Sequence, residues 1–313
     1  MSVFLITGGA GFIGSNLCDE LLKRGKKVRV IDNLSTGKME NLSRVIKEIE
    51  FIQGDLRNID DLRKAVKGVD TVFHIGAIPS VTRSVKDPIT SNEANVDGTL
   101  NLLVASKEAG VRRLVYSGSS SAYGDKIELL KSEELSPEPL SPYAVSKLTG
   151  EYYCSVFSKL YGIETVVLRY FNVFGPRQDP SSPYSGVISI FIRQMISGEK
   201  PTVYGDGEQS RDFTFVKNVV NANIAASERQ GISGSLINVA CGKRITLNEL
   251  IDELNIILGT NLQPLYFEPR AGDIKHSLAD ITRANKFLDY SPEVSFSDGL
   301  NKTVEWYRRE YCK

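Results

Sequence analysis

Along the first half of the chain, short apolar and β-branched runs alternate with stretches whose apolar positions recur at helical spacing. Val3–Thr7, Lys27–Ile31, Glu50–Gln53, Thr71–His74, Arg113–Ser117 and Thr165–Arg169 read as buried strands. Between them, Ile13–Arg24, Leu62–Val66 and Asn92–Ala109 carry the helical pattern. This alternation predicts βαβ units and an α/β fold with a doubly wound parallel sheet. Right-handed crossovers then put a ligand at the carboxyl ends of the strands. The second half is less regular. Pro176–Tyr184 and Tyr204–Ser210, rich in Pro, Gly, Ser and Asp, read as loops, and Thr246–Leu258 and Phe296–Tyr311 as helices. Leu236–Ala240 has the pattern of a strand that returns to the first sheet. The second unit is expected to be small and interleaved with the first.

Composition narrows the chemistry. The 313 residues are 41% hydrophobic and 24% charged, which describes an ordinary globular protein. Thirty-eight basic residues balance 38 acidic ones. That balance offers no electrostatic footprint for nucleic acid or an anionic membrane. No apolar run approaches the ~18 residues of a membrane helix. The first residues lack a basic leader, so no signal peptide is expected and the cytoplasm is the expected location. Cys18, Cys154, Cys241 and Cys312 form no Cys-x-x-Cys pair, which argues against zinc fingers and disulfide frameworks. His74 and His276 are the only histidines, so no metal site of several imidazoles is expected. Acid/base work would fall to another side chain.

Val3-Phe4-Leu5-Ile6-Thr7-Gly8-Gly9-Ala10-Gly11-Phe12-Ile13-Gly14 reads as a strand, a glycine turn and a helix start. Glycine at 8, 11 and 14 permits a tight turn, close backbone approach to a pyrophosphate and close helix–strand packing, as in a Rossmann-type sheet. The helix N-terminus offers unpaired N–H groups to that anion. Asp32 ends the next strand 18 residues after Gly14, where a carboxylate can hold two ribose hydroxyls and repel a 2′-phosphate. NAD is therefore favoured over NADP. Asp55 ends the third strand, either within reach of an adenine amino group or as a cap for the Asn58–Ala65 stretch.

Tyr143 and Lys147 stand four apart behind Ser141-Pro142, a pairing that suits a helix cap and first position. Residues at this spacing share a helix face, so an ammonium can lie near a phenol. A phenol with a pKa near 10 is a poor base at neutrality, and lowering it by about 3 requires roughly 4 kcal/mol. Lys147 and a positively charged nicotinamide would supply that. The same pair also fits a solvated helix face.

Together with His74-Ile75-Gly76-Ala77, Asn95-Val96-Asp97-Gly98-Thr99, Ser119-Ser120-Ser121-Ala122-Tyr123-Gly124 and Arg169-Tyr170-Phe171-Asn172-Val173-Phe174-Gly175-Pro176-Arg177-Gln178, these motifs span most of the chain. Gly205-Asp206-Gly207, Ser210-Arg211-Asp212-Phe213 and Arg270-Ala271-Gly272-Asp273 continue the series. The chain resembles the extended short-chain dehydrogenase/reductase superfamily, in its nucleotide-sugar epimerase/dehydratase branch. The resemblance implies an NAD-binding domain over 1–171 with a return segment at about 213–240. A mainly UDP-sugar-binding domain would cover 172–313.

By the same resemblance, Ser119 and Tyr143 bracket the sugar 4-hydroxyl and Lys147 holds the nicotinamide ribose; Ser120 and Ser121 compete with Ser119 for this role. A serine run at a strand end can also serve only to satisfy backbone groups. The remaining NAD positions are Phe12, Ile13, Asn33, Ser35 and Gly37, then Leu56, Ala77, Asn95, Ser117 and Tyr170. Asn172, Arg211, Arg270 and Asp273 are implied for the nucleoside diphosphate, whose charge suits paired arginine forks; the alternative for the arginines is surface ion pairing. Ser80, Val81, Ser84, Gln178, Val187 and Tyr204 complete the substrate set.

Three departures choose among reactions. Ser120 and Ser121 stand where the family's dehydratases carry an Asp-Glu pair, so dehydration is not expected. Ile78-Pro79-Ser80-Val81-Thr82-Arg83-Ser84 resembles the group acting on N-acetylated UDP-hexosamines. Ser277 stands where a tyrosine narrows the pocket of strict UDP-glucose epimerases, leaving space for an acetamido group without rejecting a smaller sugar. The expected activity is NAD-dependent 4-epimerisation of UDP-hexoses through a 4-keto sugar, with UDP-N-acetylglucosamine and UDP-N-acetylgalactosamine preferred. Alternatives are a UDP-glucose-only 4-epimerase, a UDP-glucuronate epimerase with Arg83 as carboxylate partner, and a non-catalytic NAD-binding regulator. A homodimer through Asn92–Ala109 and Tyr143–Lys159 is the family expectation, although those apolar faces would also suit the monomer's interior.

Overall fold

The computed structural model describes residues 2–179, 186–269 and 275–311. Seven parallel strands form the central sheet. They are β1 (Val3–Thr7), β2 (Lys27–Asp32), β3 (Glu50–Gln53), β4 (Val69–His74), β5 (Arg113–Ser119), β6 (Glu164–Tyr170) and β7 (Ser235–Val239). Their spatial order is β7-β6-β5-β4-β1-β2-β3, so the order reverses between β1 and β4. At such a switch point, crossovers leave the sheet in opposite directions and open a crevice at the strands' carboxyl ends.

Both faces of the sheet are covered, which is why its strands read as continuous apolar runs. Phe4 and Ile6 of β1 pack with Leu17 and Leu21 of α1 (Phe12–Lys23). Leu5 points the other way, into a cluster with Leu62, Leu102 and Leu114. Asn58 caps α2 (Ile59–Ala65) by accepting from the Asp60 N–H. The short helices α3 (Val81–Lys86) and α4 (Pro88–Asn92) follow β4.

The helix expected over 92–109 is interrupted. Glu93–Asp97 is a π-turn and only α5 (Gly98–Glu108) is regular. A Cβ at Gly98 would lie 2.8 Å from Leu56 Cβ, so a close approach stands beside the wider turn.

Ser141 caps α6 (Pro142–Tyr161), accepting from the Ala144 N–H, with Pro142 in the first turn. Beyond β6 come α7 (Val187–Ile196) and α8 (Val216–Glu228), then α9 (Leu247–Leu258), which begins with a Thr246/Glu249 capping box. The last helices are α10 (Thr282–Leu288) and α11 (Phe296–Tyr311). β7 pairs in parallel with β6 from Ser235–Val166 to Val239–Tyr170, so late sequence completes the first sheet. Short strand pairs, such as 130–131 with 278–279, tie the second half over the cleft. Among the described residues, no helix is long and apolar enough to cross a membrane.

Candidate active site

A cleft of about 1270 Å³ runs along the carboxyl ends of the strands and under the second half of the chain. Its floor begins at the glycine turn. Gly8 has φ +66°, and a Cβ there would lie 2.6 Å from the Gly76 Cα. A Cβ at Gly14 would stand 2.3 Å from the Gly8 carbonyl oxygen. Gly11 caps α1 without a side-chain hydrogen bond, so the first N–H groups of that helix face the cleft unclaimed by a capping side chain. Phe12 and Ile13 line the same wall. This cradle fits a dinucleotide diphosphate.

Next along the cleft is Asp32, at the end of β2 and only 8% exposed. Its Oδ2 accepts the Ala10 N–H at 2.9 Å and its Oδ1 the Leu34 N–H at 2.8 Å. Burial pushes its carboxyl up and these two donors pull it down. A Cβ at Gly37 would meet the Asp32 carboxylate at 2.8 Å, so the 33–37 turn closes directly over it. Asn33 and Ser35 lie on that turn at the cleft. Asp55 accepts from Asn33 Nδ2 at 2.9 Å, and Arg57 beside it holds its carboxyl well below the usual carboxylate range. Asp55 and Leu56 line the cleft, as does Ala77. Because Asn58 supplies the cap of α2, Asp55 is left at the cleft rim.

His74 organises the switch point. Its Nδ1 is 2.8 Å from Thr7 Oγ1 and its Nε2 is 2.9 Å from Thr99 Oγ1. Thr99 donates its own proton to the Asn95 carbonyl at 2.6 Å, so Nε2 must carry the hydrogen and Nδ1 accept from Thr7. Thr7 Oγ1 accepts the Gly76 N–H at 3.0 Å, fixing the backbone against Gly8. Burial first, then the Lys147 charge, drives this imidazole down to about 3 and keeps it neutral. Neither histidine lines the cleft.

At the cleft's centre stand Ser119, the last residue of β5, and Tyr143 in the first turn of α6. Ser84 accepts the Tyr143 N–H at 3.0 Å, anchoring that turn from α3. Ser119 Oγ lies 2.8 Å from Ser121 Oγ and accepts the Ser121 N–H at 3.2 Å. Burial pushes the Tyr143 phenol up, and hydrogen bonding to Ser119 opposes it. The depression expected from Lys147 is not present in the protein alone. The Lys147 ammonium sits 4.5 Å over the Tyr116 ring, and the side chain is 4% exposed.

Lys147 therefore lies behind the cleft wall, and three other expected contacts do too. Asn95 spends its side chain on the Ile78 backbone and Ser146. Ser117 donates to Tyr170 at 3.0 Å; Tyr170 itself lines the cleft. Ser84, besides holding Tyr143, donates to the Val81 carbonyl. Val187 and Tyr204 are outside the cleft lining; the Tyr204 ring packs on Phe267 at 5.9 Å.

Ser80, Val81, Ser120 and Ser121 also line the cleft, as do Asn172, Gln178, Arg211 and Ser277. Ser80 also caps α3. Ser277 donates its N–H to the Ser210 carbonyl, which pins it beside Arg211. Arg270 and Asp273 lie outside the described residues, as do positions 180–184 of the expected loop. Gly118 and Lys131 line the cleft without a signal that singled them out. Among the described residues, no group of three or more His, Cys, Asp or Glu could hold a metal ion.

Residues 4–240 match the NAD dependent epimerase/dehydratase family. The UDP-glucose 4-epimerase of Mycolicibacterium smegmatis is 38% identical over 311 residues, covering 98% of both chains. The structure of a UDP-N-acetylglucosamine 4-epimerase from Methanobrevibacter ruminantium, in complex with UDP-N-acetylmuramic acid, is 42% identical. It superimposes with a TM-score of 0.94 over 99% of each chain. That of a UDP-glucuronic acid 4-epimerase from Bacillus cereus, with UDP-glucuronic acid and NAD, is 37% identical with a TM-score of 0.91. There the match covers 99% of this chain and 100% of the other. The glycine cradle, Asp32 at the strand end and these matches identify the chain as a member of the NAD-dependent epimerase/dehydratase family, in the nucleotide-sugar branch of the extended short-chain dehydrogenase/reductases, with NAD as its cofactor.

Proposed function

We propose that the chain is a cytoplasmic UDP-hexose 4-epimerase that prefers UDP-N-acetylglucosamine and UDP-N-acetylgalactosamine and also accepts UDP-glucose and UDP-galactose. The observation that carries this reading is the Ser119–Tyr143 pair in one cleft with Ser277. Ser119 and Tyr143 bracket the sugar 4-hydroxyl, and Tyr143 takes its proton as general base. Bound NAD supplies the reversible two-electron acceptor at carbon 4, and its positive ring favours the phenolate. Tyr143 then returns the proton after the 4-keto sugar has presented its other face. Asn172 and Arg211, with Arg270 and Asp273 as the family resemblance implies, hold the nucleoside diphosphate while the sugar turns. Serine at 277 leaves room for a 2-acetamido group and offers it a hydrogen bond.

Two further features support finer parts of the reading. Val145, Tyr152, Val156 and Leu160 are exposed at helical spacing along α6, which suits a homodimer through this helix. Arg83 lines the cleft and makes no ion pair among the described residues, which favours a UDP-glucuronate epimerase as the second reading.

Proton NMR of the purified protein, without added NAD, tests the assignment with UDP-N-acetylglucosamine, UDP-glucose and UDP-glucuronate in separate tubes. A galacto anomeric signal from the acetamido sugar is the expected result. Conversion of UDP-glucose alone would discard the Ser277 argument. Conversion of the glucuronate alone moves the assignment to Arg83. No conversion, even with NAD supplied, leaves a non-catalytic NAD-binding protein.

A further inference from the structure

Behind the Tyr143 wall lies a buried ion pair that the chemistry above does not use. Tyr143, Lys147 and Glu151 follow one another at intervals of four on α6 and share its inner face. Glu151 is 6% exposed and Arg169, on β6, is 2% exposed. Arg169 Nε donates to both carboxylate oxygens, at 2.9 and 3.1 Å, and a second nitrogen reaches Oε2 at 2.6 Å. The guanidinium also lies 4.5 Å from the centroid of the Tyr123 ring.

Two glycines make room for this arrangement. A Cβ at Gly118 would come within 2.9 Å of Glu151 Oε1 and 3.2 Å of Arg169 Cγ. A Cβ at Gly150 would meet the hydroxyl of Tyr116 at 2.2 Å, and the Tyr116 ring is the platform under the Lys147 ammonium. A buried pair of this kind gives little net stability over apolar residues of similar volume, so its presence beside Lys147 calls for another reason.

The groups facing Lys147 identify that reason. From β4 comes neutral His74 and from β5 the Tyr116 ring. α6 itself contributes Tyr143, Cys154 and Glu151, and β6 contributes Arg169, which is engaged with Glu151. Burial drives the Cys154 thiol up and keeps it neutral, which leaves Glu151 as the anion of this set. We infer that Glu151, held by Arg169, is a positioning residue that keeps the Lys147 ammonium charged in a dry site beside Tyr143. The inference rests on the proposed reaction, in which Tyr143 is the general base and Lys147, as the family resemblance implies, holds the nicotinamide ribose. Burial brings Lys147 down to about 8, and the Glu151 charge is the foremost influence in the opposite direction. Arg169 is needed because burial by itself pushes the Glu151 carboxyl up, toward the neutral form.

The test is a pH titration of the lysine ε-carbons by NMR on the whole protein, with Lys147 assigned from Lys147→Met. In Glu151→Gln, Lys147 is expected to titrate about one pH unit lower, a tenfold change in proton affinity. Glu151→Asp keeps the charge and is expected to stay within about half a unit of the parent, whereas a purely steric role would make both variants alike. The alkaline limb of kcat should move down by the same interval in Glu151→Gln, with KM for the UDP-sugar unchanged because Glu151 does not line the cleft. Should the single variant not fold, Glu151→Gln/Arg169→Met leaves neither charge unpaired and is expected to move Lys147 in the same direction. An unchanged Lys147 titration in the folded variant overturns the inference whatever the activity. Full activity in Tyr143→Phe overturns the functional reading instead, and leaves the titration result standing by itself.

Discussion

Gly14→Ala isolates the geometric requirement of the dinucleotide cradle. In an unconstrained helix the change would help, since alanine is favoured over glycine by about 1 kcal/mol. Here the new methyl would stand 2.3 Å from the Gly8 carbonyl oxygen and 2.8 Å from the Gly9 Cα. Both are backbone atoms with no rotamer to yield. Gly8 itself is held between the Ile31 carbonyl, which accepts its N–H at 2.9 Å, and the Gly76 backbone. Relief must come from α1 backing away by about 1 Å, and overpacking of this kind costs roughly 1–3 kcal/mol. The same displacement withdraws the first N–H groups of α1 from the diphosphate. Hydrogen bonds to charged groups contribute about 1.5–3 kcal/mol each. Losing one or two predicts NAD binding weaker by about 10-fold or more, with a folded protein of equal or lower Tm. Calorimetric titration of the apo protein with NAD, alongside thermal melting, measures both. NAD affinity within about threefold of the parent, together with a raised Tm, would refute the cradle argument.

Tyr143→Phe should lower kcat by about 10²–10⁴ while leaving NAD bound, as expected for loss of a general base; NMR turnover and cofactor absorbance read the two effects separately. Ser277→Tyr is expected to raise KM for UDP-N-acetylglucosamine at least about tenfold and to leave UDP-glucose within about threefold, a split that competition assays measure directly. Lys147→Met should inactivate the enzyme yet stabilise the fold at pH 7. Lys147 binds its proton less tightly folded, at about 8, than unfolded, near 10.5, so holding the charge at neutral pH costs up to about 3 kcal/mol. That gain should be fully present below pH 8 and shrink as pH rises toward 10.5, which denaturant melts at a series of pH values will follow. An equally destabilised variant at all pH values would contradict the burial argument.

Local pattern carried much of this protein's design. The order of strands and helices, the glycine turn at Gly8–Gly14, Asp32 at a strand end and the Ser141-Pro142 start of α6 are consequences of residue type at fixed spacing. Neighbours along the chain suffice to specify them. Ser119, Tyr143 and Ser277 were legible through the family's motifs. Contacts made across the sheet were not legible in this way. Asn95, Ser117 and Ser84 carry side chains fit for a ligand, yet the segment after β4, β6 and α6 bring Ile78, Tyr170 and Tyr143 close enough to claim them. The same is true of Lys147, whose distance from Tyr143 along the helix is fixed by the helical repeat. Its charge is governed by Tyr116 on β5 and by a carboxylate that Arg169 holds from β6. Spacing on one element sets which residues share a face. Which of them reaches the cleft, and in what state of charge, depends on partners 17 to 59 residues away that only the folded sheet brings together.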